Sequence, residues 1–135
     1  MNEIKQLATL QQKYNLKVIP RGDIKDNLIP VDFISGNKSW YLYLSDEYKD
    51  FHPENQLMCI FLVLRTLEDY EESSDFLVWC NQYGLNASHI HWLSYFKELG
   101  NRYTEIKNTV GTIDSIISSL EYQLRSGAFY ELTQL

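Results

Sequence analysis

The sequence predicts an α+β fold: a small antiparallel sheet of about three strands, packed against an α-helical C-terminal two-thirds with a long C-terminal helix. Three observations carry that expectation. Two runs of alternating apolar residues, 29–34 and 39–44, flank Gly36-Asn37, a strong hairpin signal. The stretch 57–64 is apolar without interruption. From His89 onward, positions spaced alternately three and four apart read His89, Trp92, Phe96, Leu99, Tyr103, Ile106, Val110, Ile113, Ile117, Leu120 and Leu124. All but the first are apolar or aromatic, which places them on one stripe of a helix.

Taken in order, residues 2–14 form a short amphipathic helix with Ile4, Leu7, Ala8 and Tyr14 on one face, stopped at Asn15. Residues 16–20 make a short strand, for which Pro20 suits an edge or an end. Residues 21–27 are polar and make a loop. A two-residue loop at Gly36-Asn37 sets the hairpin pairs Phe33–Trp40, Val31–Leu42 and Ile29–Leu44. All six apolar residues then share one face, with Pro30, Asp32, Tyr41 and Tyr43 on the other. A one-residue slip turns one strand's apolar set to the wrong side.

Pro53 followed by Glu54 opens a helix over 53–70. It is apolar nearly all round and should be the central buried helix. Ser74 caps a helix over 75–83 with Phe76, Val78, Trp79 and Cys80 inside, and Gly84-Leu85 closes it as a Schellman motif. Asn86 or Ser88 caps the long helix, which extends over 88–125, about 57 Å. Gly100-Asn101 is the weak point of that helix, but the stripe keeps its phase through it. Around 89–99, Ile90, Leu93 and Tyr95 widen the apolar face toward core; beyond Tyr103 the face narrows to a seam for one partner helix, internal or from a second subunit.

Chemistry-bearing motifs are absent. His89 and His91 stand two apart, which sends them to different sides of a helix, whereas a helical zinc site wants three or four. His89 suits capping or packing, and His52 has no evident partner. Cys59 and Cys80 sit in apolar runs without a CxxC pattern, as buried free thiols of a reducing compartment do. No nucleophile elbow, phosphate loop or dinucleotide fingerprint occurs. Neither an enzyme nor a cofactor nor a metal is expected.

Charge is the more informative layout. The net charge of −6 disfavours a nucleic-acid partner. Residues 1–45 carry +2 and residues 76–135 carry −1, whereas residues 46–75 hold two Lys/Arg against nine Asp/Glu, or −7. The nine are Asp46, Glu47, Asp50, Glu54, Glu68, Asp69, Glu71, Glu72 and Asp75. They flank the two ends of the central helix, about 26 Å apart, and make a candidate surface for a basic protein partner. The bland alternative is a solvated charge run. The chain is expected to be a single domain over 1–135, monomeric or dimeric and cytoplasmic, without a signal peptide or membrane span.

Two stretches carry a resemblance. Asp75-Phe-Leu-Val-Trp-Cys-Asn and Asp114-Ser-Ile-Ile-Ser-Ser-Leu-Glu-Tyr-Gln-Leu-Arg-Ser-Gly-Ala-Phe-Tyr-Glu-Leu look like the small immunity proteins of contact-dependent growth inhibition. The likeness covers about the last sixty residues and is one of pattern. It implies a cytoplasmic protein that binds and neutralises a toxin domain, often a nuclease, and it transfers no binding residue. The alternative reading is a small acidic dimeric chaperone or adaptor built on the C-terminal helix seam.

Overall fold

A computed structural model describes residues 2–22, 28–45, 54–73 and 75–111. The elements run α1 (Asn2–Tyr14), β1 (Leu16–Pro20), β2 (Leu28–Ser35), β3 (Lys38–Ser45), α2 (Gln56–Glu72), α3 (Phe76–Tyr83) and α4 (Ile90–Val110). The strands form one antiparallel sheet in the order β1-β2-β3. One apolar core draws residues from all seven elements. The α+β class, the three-stranded sheet and the long helix near the C-terminal end are as the sequence predicts.

The hairpin register is the expected one. Ser35 faces Lys38, Phe33 faces Trp40, Val31 faces Leu42 and Ile29 faces Leu44. Gly36 takes φ +59°, at the first loop position, where a type II′ turn needs glycine. All six paired apolar residues are buried. The turn is anchored to the end of α1: Ser35 Oγ donates to the Tyr14 carbonyl at 3.1 Å and the Gly36 amide donates to the Asn15 carbonyl at 3.3 Å. Asn15 itself sits at φ +50°, the left-handed conformation that ends α1 and turns the chain into β1.

Helix α2 packs against α1, β1, β3 and α4. Met58 through Leu64 are buried without a gap, then Thr66, Leu67 and Asp69. A helix presents every side once per turn, so seven consecutive buried residues require neighbours all round it. Its start lies beyond the expected Pro53: Asn55 is the cap, accepting from the Met58 amide at 3.1 Å, and Gln56 opens the helix. Gln56 then pairs with the open edge of β1. Its Oε1 accepts from the Val18 amide at 2.8 Å and its Nε2 donates to the Val18 carbonyl at 3.0 Å.

The opposite edge of the sheet, β3, is held by α4, which runs alongside it in the opposite direction. Tyr95 Oη accepts from the Tyr43 amide at 3.1 Å, the Trp40 indole donates to Glu105 at 2.9 Å, and Lys38 donates to Thr109 at 3.5 Å. This corrects the expectation that Tyr43, on the second face, looks away from the core. It is buried, edge-on to Trp92 at 5.2 Å and Tyr95 at 4.9 Å between ring centroids.

Helices α3 and α4 depart from the sequence reading at five points. Asp75 caps α3 by accepting from the Val78 amide at 2.9 Å, and Val78 is exposed, not inside. Ile90 and Leu93 are exposed too, so they do not widen the core face. His89, not Asn86 or Ser88, is the cap of α4, its Nδ1 accepting from the His91 amide at 3.3 Å. The expected helix over 88–125 ends at Val110, because Gly111 turns the backbone out at φ +89°. Trp92, Leu99, Ile106 and Val110 of the stripe are buried in the core. Ile113 to Leu124 lie outside the described residues, as do Asp46, Glu47, Asp50, His52, Pro53 and Ser74. The Gly84-Leu85 closure is as expected: the Leu85 amide donates to the Cys80 carbonyl and the Gly84 amide to the Asn81 carbonyl, the two bonds of a Schellman motif.

The helix runs straight through Gly100, and the structure supplies the reason for glycine there. A Cβ at Gly100 would lie 2.6 Å from Tyr70 Oη. Tyr70 is held between Phe96 at 5.3 Å and Tyr103 at 6.1 Å, so its hydroxyl has little freedom to retreat. Gly100 is the gap through which α2 approaches α4. Gly100→Ala is therefore expected to destabilise the fold by about 1–2 kcal/mol, despite alanine's helix propensity. In a Tyr70→Phe background the same change should become neutral or stabilising; paired denaturant melts check this.

Candidate functional site

Among the described residues the acidic ones fall into two groups. Glu54 is exposed at the start of α2, and Glu68, Asp69, Glu71, Glu72 and Asp75 cluster at its other end. A helix of 17 residues separates the two groups by about 26 Å. Among the second group the structure makes a sharp division. Asp69 is buried, three residues beyond buried Thr66 and seven beyond buried Leu62, on the same helical face. Arg65 Nη1 lies 2.7 Å from Asp69 Oδ1, and Tyr83 Oη donates to Asp69 Oδ2 at 3.3 Å. Asp69 thus ties α2 to α3, which corrects its place in a solvated acidic run. Glu68 is partly buried beside the same arginine, 4.0 Å away.

Glu71 is exposed but engaged: Tyr103 Oη donates to it and Lys107 Nζ lies 3.9 Å away. That leaves Glu72 and Asp75 exposed, neither ion-paired among the described residues. Asp75 caps α3, whose first turn carries two large exposed apolar side chains, Leu77 at 65% exposure and Val78 at 45%, and Glu72 ends α2 three residues before that cap. Ser73 Oγ, at the end of α2, donates to Gln82 Oε1 at 3.3 Å, which draws the outer side of α3 against that corner. The α2–α3 corner is therefore an apolar patch with an acidic rim. Its apolar part was hidden in the sequence, where Val78 reads as core.

A second feature lies on the seam of β3 and α4. Tyr41, Tyr43, His91, Tyr95, Glu98 and Arg102 line an open cleft of about 160 Å3. Tyr43 Oη lies 3.3 Å from His91 Nε2 and accepts from Tyr41 Oη at 3.5 Å. The Arg102 guanidinium sits over the Tyr95 ring, 5.2 Å from its centroid. Burial pushes the Tyr95 phenol up to about 12, against the smaller opposing effects of the Tyr43 amide and Arg102. Burial likewise raises Tyr43 well above the ordinary phenol range, with Tyr41 beside it adding to the effect. A signal for half of the cleft does exist in the sequence: His91, Tyr95, Glu98 and Arg102 fall at i, i+4, i+7 and i+11, a second stripe of α4. Nothing in the linear order joins them to Tyr41 and Tyr43.

Cys59 and Cys80 are buried and free, and burial pushes the Cys59 thiol up to about 12. Among the described residues no three potential metal ligands cluster, and no helix is long and apolar enough to cross a membrane. Comparison with known protein families, curated proteins and solved structures finds no match to the chain.

The two kinds of carboxylate should respond differently to removal. Asp69→Ala removes the carboxylate that Arg65 and Tyr83 share and is expected to cost about 3 kcal/mol in denaturant unfolding, whereas Glu72→Ala should stay within about 0.5 kcal/mol. A pH series gives a second check. Tyr43, Tyr95 and Cys59 are held neutral in the fold and ionise more readily once unfolded. Their contribution is complete below the ordinary values of 9 for the thiol and 10 for the phenols, and is lost as the pH rises toward about 12. The melting temperature should therefore hold to about pH 9 and fall steeply above it.

Proposed function

We propose that this chain acts by binding: it is a toxin-neutralising inhibitor of the immunity-protein kind, and the α2–α3 corner is its docking surface. The observation that carries this reading is the exposure of Leu77 and Val78 beside Glu72 and Asp75. Protein interfaces gain most of their affinity from a few apolar anchors at the centre of a patch, while rim charges steer the approach and choose the partner. An acidic rim selects a basic surface, such as the substrate groove of a nuclease. The corner also contains the stretch Asp75-Phe-Leu-Val-Trp-Cys-Asn, one of the two that resemble contact-dependent growth inhibition immunity proteins. Of the acidic residues the structure describes, the docking set keeps Glu72 and Asp75, with Leu77 and Val78 added.

The heptad seam gives less support to a dimeric adaptor. Up to Val110 the stripe is used by the chain's own core.

The test pairs the chain with a candidate toxin domain, sought first in the gene directly upstream of its own. The wild-type chain is expected to bind that domain and to restore growth of cells expressing it. The double change Leu77→Asp, Val78→Asp should weaken binding by about thirtyfold or more and abolish rescue. Glu72→Lys should slow association severalfold and flatten its dependence on salt, with little change in dissociation. Unaltered binding and rescue by both variants, each folded, would remove the proposal.

A further inference from the structure

We propose that the cleft between β3 and α4 binds a small carboxylate. The site is separate from the docking corner and does not depend on the reading of that corner.

The lining supplies donors in excess of acceptors. Tyr41, Tyr43 and His91 form a short chain of heteroatoms, 3.5 and 3.3 Å apart, along one wall. Tyr43 is buried and stays protonated through the physiological range, so it presents an O–H group and not a phenolate. Arg102 supplies the charge. Its guanidinium is stacked on Tyr95, and it makes no ion pair among the described residues. Its Nη1 is buried and has no hydrogen-bond partner among the described residues. A buried cationic N–H without an acceptor is costly, and an arginine fork is matched most closely by a planar carboxylate or a phosphate.

Size and local charge decide between those two. About 160 Å3 is well below the space taken by a nucleotide or a drug-sized ligand and suits a group of side-chain size. Glu98 stands at the rim, exposed and one helical turn from Arg102, with no partner of its own among the described residues. A doubly charged phosphate suffers more from that neighbour than a singly charged carboxylate does. Tyr41 and Tyr43, edge-to-face at 5.3 Å, give the cleft an aromatic wall against which a flat body behind the carboxylate can pack. A free organic acid and an acidic side chain of a partner protein share this chemistry.

Calorimetric titration of the full chain with benzoate, benzamide and N-acetyl-aspartate N-methylamide tests the site. Benzoate is expected to bind saturably and benzamide at least about tenfold more weakly, since it lacks the charge. Arg102→Gln should weaken benzoate by about tenfold or more, whereas Glu98→Gln should tighten it. Tyr41→Phe, at the exposed rim, should weaken it a few-fold without touching the core. Tighter binding of benzoate than of the capped aspartate assigns the site to a free acid, and the reverse order assigns it to a partner's side chain. Equal binding of benzoate and benzamide overturns the proposal. So does benzoate affinity unchanged by Arg102→Gln, or by Tyr41→Phe should the arginine variant not fold.

Discussion

The architecture depends on hiding a helix that has no polar side. Met58 to Leu64 fill two full turns of α2 with buried residues, so no single layer can cover it. The sheet takes one side, α1 another, and α4 a third. Each cover is itself amphipathic and supplies only a face. The sheet gives Val18, Val31, Phe33, Leu42 and Leu44; α1 gives Leu7; and α4 gives the line from Trp92 to Val110. The close approach of α2 to α4 is set by one missing side chain, at Gly100, where Tyr70 takes the space.

A three-stranded sheet has two open edges, and both are closed by side chains of the helices that cover it. Gln56, the first residue of α2, gives β1 both an acceptor and a donor at Val18, mimicking a further strand for one residue. Tyr95 of α4 gives the Tyr43 amide an acceptor on the β3 side. These contacts remove backbone groups that could pair with another chain, a known liability of exposed strands. They also fix where the helices begin and lie. Anchoring α2 at Gln56 directs its far end, with Glu72, toward the start of α3. Anchoring α4 through Tyr95 opens the cleft beside Arg102.

Much of this is legible in the sequence wherever a local rule sets the structure. The hairpin register follows from a period of two and a Gly-Asn turn, and the stops at Asn15 and Gly84 follow from the need for a left-handed residue. The departures share one cause: a linear pattern runs on where tertiary contacts divide it. The apolar stripe keeps its phase beyond Val110, but periodicity is blind to a cap, and Lys107 before Gly111 is the stop signal that the stripe outweighed. Gly100 reads as a possible break because its reason, Tyr70, is thirty residues away. The acidic run looks uniform in the chain, yet on the helix Asp69 turns inward to Arg65 while Glu72 turns out. Val78 reads as core because α3 is apolar on most sides, whereas the core takes Trp79, Cys80 and Tyr83, with Phe76 packed against it.

Among the described residues the charge layout resolves into carboxylates the fold uses and carboxylates it leaves exposed. Asp69 is buried, Glu68 lies beside Arg65, Glu71 lies beside Lys107 and Glu54 stands at the far end of α2, which leaves Glu72 and Asp75 exposed at the α2–α3 corner. The central claim is that this corner, and not the acid window at large, meets the partner. The most direct measurement is hydrogen exchange of backbone amides in the chain, free and bound to the proposed toxin partner. The account predicts new protection concentrated over residues 71–82, with the β1–β2 face unchanged. Protection centred on β1 and β2, with α3 exchanging as in the free chain, would contradict it.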